Sequence, residues 1–489
     1  MTQVLSFDIG ASNGRLVRHH YDGKRLTSEI VHRFDNKPVK RNENYHWDFT
    51  YLMNQIFTAT RKAQSTKGNA AVSVGFDTWG VDFGAIDQSG NLLFEPYSYR
   101  DDHTVPYMHE TLEQIDKYDL FKLTGNEVSS INTLFQVKAI VEKESFDNAV
   151  HLLMMPTLLQ YQLTGIPINE FTISSTTQML QTGKQEWNTD LLDKVLNRAL
   201  PLTDVQLPHQ IIGPVSNRIQ KKEGIDLLDV VLTPGHDTAC ALSALPMLID
   251  KSFFMSIGTW TVIGTEIDHP IVTLEAFEKG FTNEGTSEGI YRFQNNSMGF
   301  WIMQELRREW KEAGHTLNYE TENHLVRDSE FSKMYIDPNA DVFFNPPSMI
   351  EAIEQFCLKT NQRKPESISE TIRSVWESMA LSYAYTIRQL ENIVGYSAKA
   401  IYAAGGGIQN TYLCQFISNA TGKQMITGPV ESSSLGNGLS QLRAIGLISS
   451  LQEGREVISN SVNQTEFDPM DTEYWSYAMS RFEEIMEKK

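Results

Sequence analysis

The sequence predicts an α/β protein built from two related lobes with a cleft between them, and three observations carry that expectation. A β-type run, Val4-Leu-Ser-Phe-Asp-Ile-Gly10, ends in a turn of small residues. A similar run, Phe253-Phe-Met-Ser-Ile-Gly-Thr-Trp260, opens the second half of the chain and again breaks at Gly-Thr. Strand-like and helix-like segments alternate along the chain, as α/β proteins require. Length agrees, because 489 residues exceed what one hydrophobic core usually organises. The break between lobes is expected near 245–252, with an N-terminal lobe over 1–247 and a C-terminal lobe over 248–489.

In chain order, 72–87 reads as two strands on either side of a polar, Gly-containing bend. Helical patterns follow over 105–118 and 133–145. The clearest helix lies in the second half. Ser367-Ile-Ser-Glu370 fits a capping box, in which each side chain caps the other's backbone N–H. Apolar residues then recur at Ile372, Val375, Trp376, Met379, Tyr383, Ile387, Leu390 and Val394, and Gly395 supplies a stop. A strand-like Ala400-Ile-Tyr-Ala-Ala404 runs into Gly405-Gly-Gly407, and the last twenty residues read as a short amphipathic helix.

Composition narrows the function classes. Hydrophobic residues make up 40% and charged residues 21%, which is ordinary for a globular chain. The formal charge of −19 repels nucleic-acid phosphates, and no basic block offsets it, so nucleic acid is not an expected partner. Any phosphate must be held locally by backbone amides, a few cations or a metal. Cys240, Cys357 and Cys414 are odd in number and widely spaced, which suggests neither a disulfide framework nor a zinc site. No signal-peptide pattern precedes Val4, and no apolar stretch approaches the ~20 residues that span a bilayer. The expected location is the cytoplasm, with no membrane partner.

Three segments carry chemistry. In Asp8-Ile-Gly-Ala-Ser-Asn-Gly-Arg15 a strand delivers an aspartate to a small-residue turn. Gly10 and Gly14 let backbone N–H groups approach a phosphate, and Ser12, Asn13 and Arg15 add donors; a plain hairpin turn accounts for the same residues equally well. Gly10, Ser12 and Gly14 also match the Gly-x-Ser-x-Gly nucleophile elbow, but that serine needs an oxyanion loop from earlier in the chain, and only one strand precedes it. In Pro234-Gly-His-Asp-Thr-Ala239, Asp237 suits a helix N-terminus, where it either accepts a substrate proton, with His236 holding a sugar, or merely caps the helix. Gly258-Thr259 and the triple glycine offer bare backbone to a base or phosphate, or form simple turns. The P-loop and dinucleotide glycine motifs are missing.

In order, these segments resemble the FGGY family of carbohydrate kinases, and within it the rhamnulokinase group, from residue 4 to about 445. The further markers are His32-Arg-Phe34, Trp47-Asp48, Phe76-Asp-Thr-Trp-Gly-Val-Asp-Phe83, Tyr99-Arg-Asp101, Asn283-Glu-Gly285, Asn296-Ser-Met-Gly-Phe-Trp301, Gly405-Gly-Gly-Ile-Gln-Asn410, Gly428-Pro-Val-Glu431 and Leu435-Gly-Asn437. The resemblance implies two actin-like ATPase (ribonuclease H-like) lobes closing on MgATP and a sugar. It implies phosphorylation of L-rhamnulose at its C1 hydroxyl to L-rhamnulose 1-phosphate plus ADP, in L-rhamnose catabolism, by a monomer or homodimer. Carried over by motif, Ala11, Ser12, Asn13, Gly14 and Arg15 hold ATP phosphates, and Thr259, Gln304 and Gly406 complete the nucleotide site. Gly80, His236, Asp237, Thr238 and Asn296 face the sugar, Asp237 is the proton acceptor, and Asp8 organises Mg²⁺ through water.

The chain departs from the group's pattern at Asp102, Thr157, Thr286 and Ile257. Asp102 and Thr157 are the departures that bear on sugar choice, so a related ketose such as L-fuculose or xylulose is the competing substrate. A non-catalytic actin-like ATP-binding protein shares the phosphate loops but has no need of the Gly-His-Asp-Thr cluster. A sugar-sensing repressor needs a DNA-binding head, and none is read ahead of the first strand.

Overall fold

The structure, a computed structural model, describes residues 1–65, 70–141 and 143–487. The chain forms two compact units. The first comprises Met1–Pro246, Glu266–Phe293 and Ser432–Val462. The second comprises Met247–Thr265, Gln294–Glu431 and the segment from Asn463 onward. The N-terminal segment of the first unit ends at Pro246, and two later segments pack with it.

The first unit is built on β1 (Thr2–Ile9), β2 (Asn13–Tyr21), β3 (Leu26–Asp35), β4 (Ser73–Thr78), β5 (Gln210–Pro214) and β6 (Asp229–Leu232). They lie in the order β5-β6-β4-β1-β2-β3. β1 runs antiparallel to β2 and parallel to β4, so Asp8 stands beside Asp77 in register. β1 and β4 are buried along almost their whole length, as their apolar runs require. The Phe7 and Phe76 rings stack across them at 5.0 Å. Asp48 caps α1 (Phe49–Gln64) through the Tyr51 N–H, and Leu52, Ile56 and Ala59 of that helix join the core.

A second sheet comprises β7 (Phe253–Ile257), β8 (Trp260–Ile267), β9 (Tyr291–Met298), β10 (Ala400–Ala404), β11 (Gln424–Thr427) and β12 (Glu466–Phe467), all of the second unit except the Glu266–Ile267 end of β8 and the Tyr291–Phe293 end of β9, which belong to the first. Their order is β9-β8-β7-β10-β11-β12. β7 is antiparallel to β8 and parallel to β10, which is parallel to β11. Setting aside β5, β12 and the edge strand Phe281–Gly285, both sheets read third, second, first, fourth, fifth strand. That shared order, with helices packed alongside, gives the expected α/β class of paired actin-like ATPase lobes.

The long helix runs Ile368–Val394 and stops at Gly395 in the left-handed conformation, φ 78°. Ser367 caps it by accepting from the Glu370 N–H. The capping box is only half made. Arg363 draws the Glu370 carboxylate away in a two-pronged pair of 2.9 and 2.8 Å, and that carboxylate accepts from the Glu366 N–H instead of capping Ser367. The pattern over 105–118 resolves into Val105–Gln114 and Lys117–Thr124, broken by an extended Ile115. That over 133–145 gives Thr133–Val141, with residue 142 outside the described residues. The C-terminal helix is Thr472–Met486, and the last two residues are likewise outside them. The three cysteines are buried thiols. No helix among the described residues is long and apolar enough to cross a membrane.

Two helices bring the chemistry of the first unit together: α2 (Asp237–Ser243) and α3 (Ser432–Ala444). They approach so closely that a Cβ on Gly436 would lie 1.9 Å from the Cys240 carbonyl oxygen. Gly436→Ala forces the helices apart, and overpacking of this kind costs about 1–3 kcal/mol. The expected result is a thermal unfolding midpoint lowered by several degrees in scanning calorimetry; an unchanged midpoint contradicts the close approach.

Candidate active site

β1 carries Asp8 to the end of the sheet, and the chain turns at once. Gly10 N–H donates to the Asn13 carbonyl at 2.9 Å. Asn36 holds the turn from outside, through its side-chain amide to Gly10 O at 2.7 Å and its own N–H to Ser12 O at 3.0 Å. Gly14 is required by packing, since a Cβ there would lie 2.3 Å from the Phe34 ring. Ser12 and Asn13 are left exposed. Arg15 lies against Asp8, its Nη2 donating to Oδ2 at 2.7 Å and its Nε at 3.2 Å. Ser433 Oγ donates to the same carboxylate oxygen. Arg100, which the sequence left without a role, reaches within 3.4 Å of Ser12 Oγ.

Asp77, beside Asp8, is completely buried. Asn437 donates to its Oδ2 at 2.7 Å, and its Oδ1 has no hydrogen-bond partner. Burial, and then the neighbouring Asp8, push its carboxyl well above the usual range. Asp237 opens α2, and burial, followed by Asp8, raises it to about 6. Thr238 Oγ1 donates to it at 3.1 Å. His236 stands next to it, with Nε2 3.7 Å from Asp237 Oδ1. On its other side the imidazole Nδ1 lies 2.6 Å from Arg292 Nη2, and burial, then the Arg292 charge, hold the ring well below its usual range. Gly80 makes room for this histidine, since a Cβ there would come within 3.1 Å of Nε2.

Two buried carboxylates hold the loops in place. Glu170 accepts from Gly235 N–H at 2.9 Å, Thr172 N–H at 2.9 Å, Thr172 Oγ1 at 2.7 Å and Ile173 N–H at 3.1 Å, which fixes the loop ahead of His236. Burial raises it to about 7. Asp82 accepts from the indoles of Trp47 and Trp79 at 2.6 and 2.8 Å, from Gln136 at 2.8 Å and from Tyr99 N–H at 3.2 Å, and so supports the loop that carries Gly80. Burial raises Asp82 to about 6. Among the described residues, no group of three or more His, Cys, Asp or Glu is arranged to chelate a metal.

The first unit therefore gathers Asp8, residues 11–15, Gly80 and residues 236–238. The other expected site residues lie in the second unit. There Gln304 Nε2 donates to Thr259 Oγ1 at 3.3 Å. The triple glycine backs onto the end of β7, where a Cβ on Gly405 would lie 2.7 Å from Ile257 O. Open space surrounds Gly406. Asn296 is exposed on β9. Of the departures, Thr157 is fully buried and spends its hydroxyl on Met154 O at 3.0 Å, while Asp102 is exposed at the start of a short 3-10 turn.

Models of the FGGY family of carbohydrate kinases match nearly the whole chain, the N-terminal domain over residues 3–243 and the C-terminal domain over 253–445. This chain belongs to that family. Relatives of full length agree. A rhamnulokinase of Oceanobacillus iheyensis is 35% identical, covering 94% of this chain and 96% of the relative. One of Bacteroides thetaiotaomicron is 32% identical over 98% of each. Among solved structures, Plasmodium falciparum glycerol kinase with ADP superposes with a TM-score of 0.82 at 14% identity, covering 100% of this chain and 98% of that one. A Lactobacillus acidophilus xylulose kinase gives 0.80, also at 14% identity, over 100% and 97%. At such identities the structures speak for the fold alone.

For an FGGY carbohydrate kinase, the residues missed in the sequence are supporting ones: Ser433, Asn437, Glu170, Glu284 and Arg292. Glu284 and Asn437 sit inside quoted motifs, and a charged or amide side chain with no assigned work was the available signal. Asp82→Ala removes the acceptor shared by the Trp47 and Trp79 indoles, Gln136 and the Tyr99 N–H, and each buried donor left unpaired costs about 1–3 kcal/mol. The variant is expected to lose several degrees of thermal stability and the near-ultraviolet circular dichroism of Trp47 and Trp79. Retention of both refutes the supporting role.

Proposed function

We propose that this chain transfers the γ-phosphoryl group of MgATP to the C1 hydroxyl of L-rhamnulose, giving L-rhamnulose 1-phosphate and ADP. The carrying observation is Asp237, a carboxylate raised to about 6 by burial and by Asp8, at the start of a helix beside an uncharged His236. A base set there is ionised at neutral pH yet basic enough to take a hydroxyl proton. The rhamnulokinase relatives, matched over nearly their whole lengths, support the sugar.

MgATP, when bound, supplies the phosphoryl group and a cation that draws charge from its oxygens. The acidic strand ends suit such an ion, which keeps several waters and takes one or two carboxylates besides phosphate. Asp8 would hold it through water. Ala11 to Arg15 would receive the phosphates, and Thr259, Gln304 and Gly406 would serve the nucleotide. Gly80, His236, Thr238 and Asn296 would receive the sugar. Asp237 takes the proton from the C1 hydroxyl as that oxygen bonds to the γ-phosphorus, and the bond from that phosphorus to the β-phosphate oxygen breaks.

The reading is tested by ADP release with MgATP against L-rhamnulose, L-fuculose, D- and L-xylulose and glycerol. Fast turnover is expected with L-rhamnulose alone, and preference for another ketose refutes the substrate assignment. Because Asp237 must be deprotonated, kcat/KM for the sugar is expected to be level above about pH 6 and to fall about tenfold per unit below it. Asp237→Asn should lower kcat by about 10²–10⁴ with the thermal midpoint retained; near-normal turnover sinks the role. Arg15→Ala is expected to raise the KM for ATP far more than that for sugar, and an equal rise in both argues against phosphate contact.

A further inference from the structure

Arg292 is completely buried and its placement is over-determined. Its Nη1 donates to Gly285 O at 2.6 Å, and its Nη2 donates to Glu284 and, at 2.6 Å, meets His236 Nδ1. Gly285 cannot shift easily: its N–H donates to Ser175 Oγ at 2.6 Å, and a Cβ on it would lie 2.5 Å from the Phe171 ring. A guanidinium has only N–H donors and does not lose its proton in proteins. The imidazole nitrogen facing it must therefore be the acceptor. That settles the histidine's chemistry, since a neutral ring with a lone pair on Nδ1 carries its hydrogen on Nε2.

We infer that Arg292, backed by Glu284, is a positioning residue that fixes His236 as a neutral Nε2–H donor for an oxygen of the sugar. The inference rests on the sugar-kinase reading above. Nε2 lies beside Gly80 and 3.7 Å from Asp237 Oδ1, which is beyond hydrogen-bond reach. The hydrogen is thus directed into the site but not spent on the base. The opposite outcome would cost the enzyme twice. An imidazolium facing Asp237 would form an ion pair with it and weaken it as a base, and an Nδ1–H tautomer would turn a lone pair on Nε2, in place of a donor, toward the site. The charged groups around the ring all fit one arrangement. Arg292 forbids a proton on Nδ1, Glu284 offsets the guanidinium charge, Asp237 flanks the far nitrogen, and Glu170 pins Gly235 just ahead of the histidine. The backbone is held as well, with His236 N–H donating to Thr172 Oγ1 at 3.2 Å.

Two measurements on the full chain test this. In the first, long-range ¹H–¹⁵N spectra of the ligand-free protein report each imidazole's tautomer, with the His236→Gln spectrum assigning the signal. An Nε2–H, non-titrating ring between about pH 6 and 8 is expected. An imidazolium or an Nδ1–H ring overturns the proposal. In the second, Arg292→Lys and Glu284→Gln are assayed with each substrate varied. The KM for ketose should rise about tenfold while the KM for ATP stays within about twofold. An unchanged sugar KM in folded variants overturns the proposal. If Arg292→Lys does not fold, Glu284→Gln carries the test alone. Failure of every ketose to turn over would instead defeat the functional reading, and the ligand-free spectra would still report the tautomer.

Discussion

The close approach of α3 to α2 is the constraint on which the first unit's site depends. Without a side chain at Gly436, the backbone of one helix rests on the Cys240 carbonyl of the other. Residues four apart share a helix face, so Ser433, Asn437 and Gln441 then point the same way. They reach Asp8, Asp77, and the Leu5 carbonyl together with the Ser73 hydroxyl. A helix that begins 195 positions after Asp237 thus supplies hydrogen bonds to the strand ends that Asp8 and Asp77 occupy. Glycine within a helix costs about 0.5–1 kcal/mol relative to alanine. Bonds to buried carboxylates, typically about 1.5–3 kcal/mol each, offset that cost.

Around those strand ends, three aspartates sit in different surroundings. Asp8 carries a guanidinium and a hydroxyl on one oxygen. Asp77 has an amide on one oxygen and no partner on the other, and sits deepest. Asp237 has only the adjacent threonine hydroxyl and the start of α2. Asp237 is raised to about 6, first by burial and then by the neighbouring charge of Asp8. Like-charged neighbours are a standard way to set a base near neutrality. Arg292 completes the balance from a distance: its own charge is met by Glu284, so it disciplines His236 without forming an ion pair with Asp237.

The parts legible in the sequence were those whose meaning is local. The strand into Asp8, the glycine turn, the Gly-His-Asp-Thr helix start and the Ser367 to Gly395 helix each announce themselves through spacing within a few residues. What could not be read depends on partners far away in sequence. Glu370 has the right spacing for a capping box, yet Arg363 from the preceding loop takes its carboxylate. Arg15 looked like a phosphate ligand from its place in the loop, and its partner Asp8 stands opposite it across the β1–β2 hairpin. Thr157 is expected from its motif to bear on sugar choice, and the place of its hydroxyl, which donates to the buried Met154 carbonyl, is set by a partner that the motif does not include. Periodicity and motif cannot show that segments 266–293 and 432–462 pack with the N-terminal one, because side chains from different segments meet only after folding.

The shared strand order of the two units makes their difference in chemistry easier to locate. In each, the last-but-one residue of the first strand stands two positions before a glycine, Asp8 ahead of Gly10 and Ser256 ahead of Gly258. One scaffold therefore presents an aspartate and the other a hydroxyl at the same place in the topology. Around the first, the added residues are polar and charged: Arg15, Asp77, Asn437 and Ser433. Around the second they are uncharged, with Gly405 and Gly407 pressed against Ile257, Gly406 left open and Gln304 donating to Thr259. Backbone order is set by hydrophobic strands and the helices that cover them, and it tolerates either set. The side chains that the turns and neighbouring helices bring to the strand ends are what distinguish the two units, charged and hydrogen-bonding groups at one and an open glycine turn at the other.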